Sequence, residues 1–150
     1  LIDYHAENLI WRPDEAGLAR MGVIDFQDAL IGHGAYDLVS LVFDARRDVS
    51  QAALEAAVRR YQLATGADAE RFEAALATVS AQRNLRILGV FARLCIRDGK
   101  PGYLKWVPRV WSHLQRDLKH PHLSELRAYA DALPHPTKDY LDGIAAKCPV

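Results

Sequence analysis

The chain has 150 residues, half of them hydrophobic and a quarter charged, with Lys plus Arg equal to Asp plus Glu at 19 each. That length suits one domain with a real core, and a formal net charge of zero leaves no global field to draw in nucleic acid or an acidic lipid surface. No apolar run approaches the ~20 residues of a membrane span, no signal peptide is visible, and the distant pair Cys95 and Cys148 does not suggest a disulfide framework, so a reduced, cytoplasmic protein is expected.

Two short apolar runs come first, Leu9-Ile10-Trp11 and Met21-Gly22-Val23-Ile24. Pro13, Asp14 and Gly17 separate them, so they read as the strands of a hairpin. Polar clusters flank the pair: Asp3-Tyr4-His5-Ala6-Glu7-Asn8 before it and Asp25-Phe26-Gln27-Asp28 after it. Asn8 enters one strand and Asp25 leaves the other, which puts both on one rim. Asp3, Asn8 and Asp25 then make a compact oxygen-ligand set. Hard Mg²⁺ prefers such a set when phosphate oxygens and water complete its shell.

Gly32-His33-Gly34 reads as a flexible link. From Ala35 to about Arg46, Leu38, Leu41, Val42 and Ala45 recur at three- and four-residue steps, a helix with one core face. Asp37 falls in its first turn, where a carboxylate suits the helix dipole and can accept backbone hydrogens. Arg46 and Arg47 read as its solvated end. Asp48-Val49-Ser50-Gln51 has the form of a capping box for a second helix, with Leu54, Val58 and Tyr61 on one stripe and Gly66 as its stop. Asp68 caps a longer pattern through Phe72, Leu76, Val79, Leu85, Leu88, Phe91 and Leu94. Gly89 inside it costs ~1 kcal/mol against Ala, which implies close helix packing there or a break. A further block runs from Tyr103 to about Leu118, kinked by Pro108 or begun by it. Its Trp106 and Trp111 suit a core better than a sugar platform. Pro121 opens a last short helix, and Pro134 and Pro136 end it. His120-Pro121-His122 has no further partner to complete a metal site. Residues 137–150 are expected to be a partly ordered tail.

Asp3, four residues, Asn8, a hairpin and Ile24-Asp25-Phe26 together resemble the catalytic loop and metal-binding segment of protein-kinase-like phosphotransferases. The wider wording, Ile24-Asp25-Phe26-Gln27-Asp28-Ala29 and then Tyr36-Asp37-Leu38-Val39-Ser40-Leu41, is similar to the aminoglycoside phosphotransferase family. Within that family it looks most like the bacterial kinases acting on the anomeric hydroxyl of N-acetylmuramate and N-acetylglucosamine. Leu1 and Ile2 depart from the His-Arg or His-Gly that such kinases place before the catalytic Asp.

The resemblance implies an α/β, mainly α fold over residues 1–136: a β-hairpin on a helical body, the C-terminal lobe of a kinase-like protein. It implies Asp3 as catalytic residue, Asn8 and Asp25 as metal ligands, and Asp37 as the structural support of the catalytic loop. His5 and Asp28 are candidates for contact with substrate or phosphate. ATP and Mg²⁺ are the implied cofactors, and a small-molecule acceptor, an amino sugar, is the implied partner. Neither nucleic acid nor a membrane is expected. The family's Gly-rich loop, phosphate-pairing Lys and partner Glu would precede residue 1, so the chain alone is expected to be inactive, its nucleotide lobe lying in cis. A neutral lobe favours a sugar over a polycationic aminoglycoside. Homoserine, choline and fructosamine kinases share the pattern, and a non-catalytic helical remnant is the reading from another class.

Overall fold

The two apolar runs form strands of three residues each, β1 (Leu9–Trp11) and β2 (Met21–Val23). They pair antiparallel, with Leu9 opposite Val23, Ile10 opposite Gly22 and Trp11 opposite Met21. Ile24 lies past the strand, yet its N–H still donates to the Asn8 carbonyl at 3.1 Å. Glu15 ties the connection together: its carboxylate accepts from Arg12 at 2.7 Å and its carbonyl from Arg20 Nε at 2.7 Å.

The computed structural model describes residues 1–149, which form two compact units dividing between Phe72 and Glu73. The first holds the hairpin and two helices, α1 (Ala35–Val42) and α2 (Gln51–Thr65). α1 is shorter than the expected run to Arg46. Phe43 leaves the helix at φ −118°, and Asp44 Oδ1 accepts the Arg46 N–H at 2.9 Å, an Asx turn that competes with another helical turn. Arg46 and Arg47 therefore lie in a turn and not at a helix end. Ser50, rather than Asp48, caps α2: its hydroxyl accepts the Ala53 N–H at 3.2 Å. Gly66, at φ 65°, ends that helix as expected. Gly34 is more than a flexible link, because the Tyr61 hydroxyl fills the space where a Cβ would stand. Tyr61 in turn stacks on Phe72 with ring centroids 5.0 Å apart. Leu38, Val39, Val42 and Phe43 are the buried apolar face here.

α3 (Ala69–Ile96) is capped by Asp68, whose Oδ1 accepts the Arg71 N–H at 2.9 Å. It runs unbroken through Gly89, and that glycine faces open space. Neither consequence expected of it, close packing or a break, is present. Gly99, at φ 63°, closes the end by donating to the Cys95 carbonyl at 3.1 Å. A 3₁₀ segment, Pro101–Trp106, then leads into α4 (Val107–Asp117), with Pro108 in the first turn rather than at a kink. Lys105 and Arg109 flank the Trp106 ring at 4.8 and 5.6 Å. His120 Nδ1 accepts the His122 N–H at 3.2 Å and caps the turn before α5 (Ser124–Ala130). A further helix, α6 (Lys138–Ala145), capped by Thr137, occupies the segment expected as a partly ordered tail.

The second unit's core gathers Ala81, Leu114, Leu118, Leu123 and Ala130, with Trp111 packed against it. Beside it lies a buried polar knot. Asp117 accepts from the Ser80 hydroxyl at 2.5 Å, Asn84 Nδ2 at 2.9 Å and Arg116 Nε at 3.0 Å. Burial pushes the Asp117 carboxyl above its ordinary range and outweighs those stabilising partners. Cys95 and Cys148 form a disulfide with Cα atoms 5.1 Å apart. Sequence spacing hid this pairing: α6 brings Cys148 back to the end of α3. Among the described residues no helix is long and apolar enough to cross a membrane. The fold is α/β, mainly α, of the kinase-like C-terminal-lobe kind implied by the resemblance.

Candidate active site

Residues 1–8 form a run of tight local turns. The Asp3 N–H donates to the Leu1 carbonyl at 2.7 Å, His5 N–H to Asp3 at 3.0 Å, and Asn8 N–H to His5 at 2.9 Å. Ile2 sits at φ 64°, a left-handed backbone that costs a β-branched residue about 1–2 kcal/mol. Asp37 offsets this from the first turn of α1. Its Oδ1 accepts the Ile2 N–H at 3.0 Å and its Oδ2 accepts from the Leu1 nitrogen at 2.7 Å. The carboxylate therefore grips the backbone just before Asp3.

The hairpin register brings Asn8 beside Asp25. Asn8 Nδ2 donates to the Asp3 carbonyl at 3.0 Å and approaches Asp25 Oδ2 at 3.4 Å. One amide thus links both carboxylate-bearing segments. Asp25 also has a left-handed backbone, at φ 59°, which Asp tolerates better than most residues. Gln27 Nε2 donates to Asp25 Oδ1 at 2.6 Å, so both carboxylate oxygens are held. Sequence reasoning passed over Gln27; its place two residues after Asp25, in a segment with no helical period, was the available signal.

The Asp3 side chain is 62% exposed, and its Oδ1 lies 3.7 Å from His5 Nε2. His5 is buried, with Nδ1 unpartnered among the described residues, so it stands behind Asp3 and not on the open surface. Asp28 is exposed beside the turn in which the Ala29 N–H donates to the Phe26 carbonyl at 3.1 Å, and no bond joins it to Asn8 or Asp25. Arg46 lies 3.4 Å from Glu7.

The donor set fits Mg²⁺ in one particular way. Among the described residues no three His, Cys, Asp or Glu side chains converge as a metal cage. What converges is one carboxylate, Asp25, and one amide, Asn8, whose Nδ2 faces that carboxylate and whose Oδ1 accepts no hydrogen bond among the described residues. Mg²⁺ bound through one or two protein oxygens and completed by phosphate and water needs no more.

Comparison with known proteins identifies the family. The model of the phosphotransferase enzyme family, APH, matches residues 2–76, the span that holds every site residue above. An N-acetylmuramate/N-acetylglucosamine kinase of Caulobacter vibrioides is 48% identical over 131 residues, 86% of this chain and 36% of its own length. Kinases of the same name from Pseudomonas aeruginosa and Pseudomonas putida are 40% and 38% identical, over 75% and 70% of this chain and 36% and 33% of theirs. The chain thus spans about a third of the length of the curated relatives it matches. With the family model covering half its residues and the paired loops in place, the chain belongs to the phosphotransferase enzyme family.

Proposed function

We propose that this chain is the acceptor-side lobe of an ATP-dependent, Mg²⁺-requiring sugar kinase that phosphorylates the anomeric hydroxyl of N-acetylmuramate or N-acetylglucosamine. One observation carries the reading: Asn8 ties the Asp3 loop to the Asp25 loop at one rim of the hairpin. The relatives' names supply the acceptor. A nucleotide-binding lobe in cis completes the proposed enzyme.

Asp3 accepts a hydrogen bond from the acceptor hydroxyl and takes its proton as the oxygen attacks the terminal phosphorus of ATP. The bond to the bridging oxygen breaks and ADP leaves. Asn8 Oδ1 and Asp25 would hold Mg²⁺, which when bound neutralises charge on the phosphate oxygens. Gln27 fixes the rotamer of Asp25, Asp37 fixes the backbone under Asp3, and His5 backs the Asp3 carboxylate. All of these are positioning tasks, which suits a reaction that asks little covalent work of the protein.

The test is sugar-phosphate formation by the full-length parent, followed by ³¹P NMR with ATP and N-acetylglucosamine. Asp3→Asn keeps the shape and removes the base, so kcat should fall about 10²–10⁴-fold with ground-state binding retained. The methyl glycoside, blocked at the anomeric oxygen, should not react. A variant rate within a factor of a few of wild type removes Asp3 from the mechanism, and turnover of the blocked sugar removes the anomeric assignment.

A further inference from the structure

The two sulfurs of the Cys95–Cys148 disulfide differ in access. Cys95, in the last turn of α3, is fully buried, whereas Cys148, just past α6, is half-buried. The Cys148 N–H bonds to the Ala145 carbonyl at 3.0 Å, and Cys95 Sγ lies 3.6 Å from the Ile144 carbonyl. The bond therefore pins the end of α6 to the end of α3. α6 itself has no fully buried residue and otherwise packs on the 3₁₀ segment Pro101–Trp106. Its Tyr140, Leu141 and Ile144 wall an apolar cavity of about 220 Å³, across from Leu88 and Ala92 of α3 and from Trp111 of α4.

We infer that Cys95–Cys148 is a thiol–disulfide exchange site for a dithiol reductant, and that its reduction releases α6 as a strap and opens the apolar cavity beneath. The chemistry follows from access. A reductant thiolate reaches Cys148 Sγ and bonds to it; the Cys95–Cys148 bond breaks, and its electron pair leaves on Cys95 Sγ, which takes a proton. The reductant's second thiolate then attacks its own sulfur in the mixed disulfide and frees Cys148. The dithiol gives up two electrons and becomes a disulfide, and the protein gains two thiols. Attack in the other sense, at Cys95, is closed by burial.

Release follows from what remains. The bond closes a separation of 53 residues, and opening it returns that loop's freedom to the chain. A helix as short as α6, eight residues, does not persist in water without packing partners.

Hydrogen exchange of the 150-residue chain, oxidised and then reduced with dithiothreitol, tests this. Reduction should speed exchange across Lys138–Ala145 at least about tenfold while α4 stays protected. Cys148→Ser should exchange fast with or without reductant. With glutathione, a monothiol, the trapped adduct should map to Cys148. Two free thiols in the chain held in oxidised glutathione, equal exchange of α6 in both states, or an adduct on Cys95 would each overturn the inference. The wild-type comparison alone suffices should the variant fail to fold.

Discussion

Replacing Asp37 with Asn removes one of the two acceptors that hold the Asp3 loop. Oδ1 takes the Ile2 N–H at 3.0 Å, the bond that bears on a full-length parent, and in the 150-residue chain Oδ2 takes the Leu1 terminal ammonium at 2.7 Å. An amide keeps one oxygen and turns an N–H donor towards the other backbone nitrogen. Hydrogen bonds to a charged acceptor contribute about 1.5–3 kcal/mol, and a side chain 35% exposed belongs at the low end, about 1.5 kcal/mol. The left-handed backbone at Ile2 opposes that bond with about 1–2 kcal/mol. The loss is thus comparable to what holds the loop in shape, and roughly tenfold more chains should have it open. Hydrogen exchange of the 150-residue chain should show the His5 and Asn8 amides exchanging about tenfold faster, with α2 unchanged. In a full-length parent, kcat should fall by about tenfold or more through misplacement of Asp3. Exchange of both amides within a factor of two of wild type would refute the bracing argument, whatever happens to the rate.

Three other outcomes follow from different parts of the chain. Burial raises the folded pKa of Asp117, so its contribution to stability is fully present below the unfolded value and is lost as pH rises through the folded one. Urea melts should therefore show wild type losing ground to Asp117→Asn as pH rises above about 4, and an advantage that grows with pH would mean Arg116 outweighs burial. Gly89→Ala places a methyl in open space in mid-helix, and thermal melts should report a gain of about 0.5–1 kcal/mol; a loss would show that the helix is not continuous there. Asp25→Asn in a full-length parent should raise the Mg²⁺ concentration needed for half-maximal rate and cut kcat by more than about 100-fold; a near-normal rate at saturating Mg²⁺ would end the metal role.

The hairpin and its rim were legible because short apolar runs between turn residues leave few alternatives, and a tight register brings Asn8 to Asp25. The end of α1 was not. Ala45 continues the helical period, but the Asp44 side chain captures the Arg46 N–H, and periodicity carries no information about such a competitor. α6 was missed because Pro134 and Pro136 marked an end, although Tyr140, Leu141 and Ile144 have helical spacing and Thr137 can cap. Gln27 and the disulfide share another cause. Each depends on where the backbone points after a turn, which composition and spacing leave open.

The left-handed backbone at Asp25 sets endurance against activity at a single position. Glycine suits that conformation without a steric penalty, whereas Asp gives up about 1 kcal/mol or less to stand there. Glycine at 25 would relieve that strain, but it would also remove the carboxylate that Asn8 and Gln27 hold, the only one among the two proposed metal ligands. On the proposed metal role, a thermostability campaign on this lobe should hold residue 25 fixed.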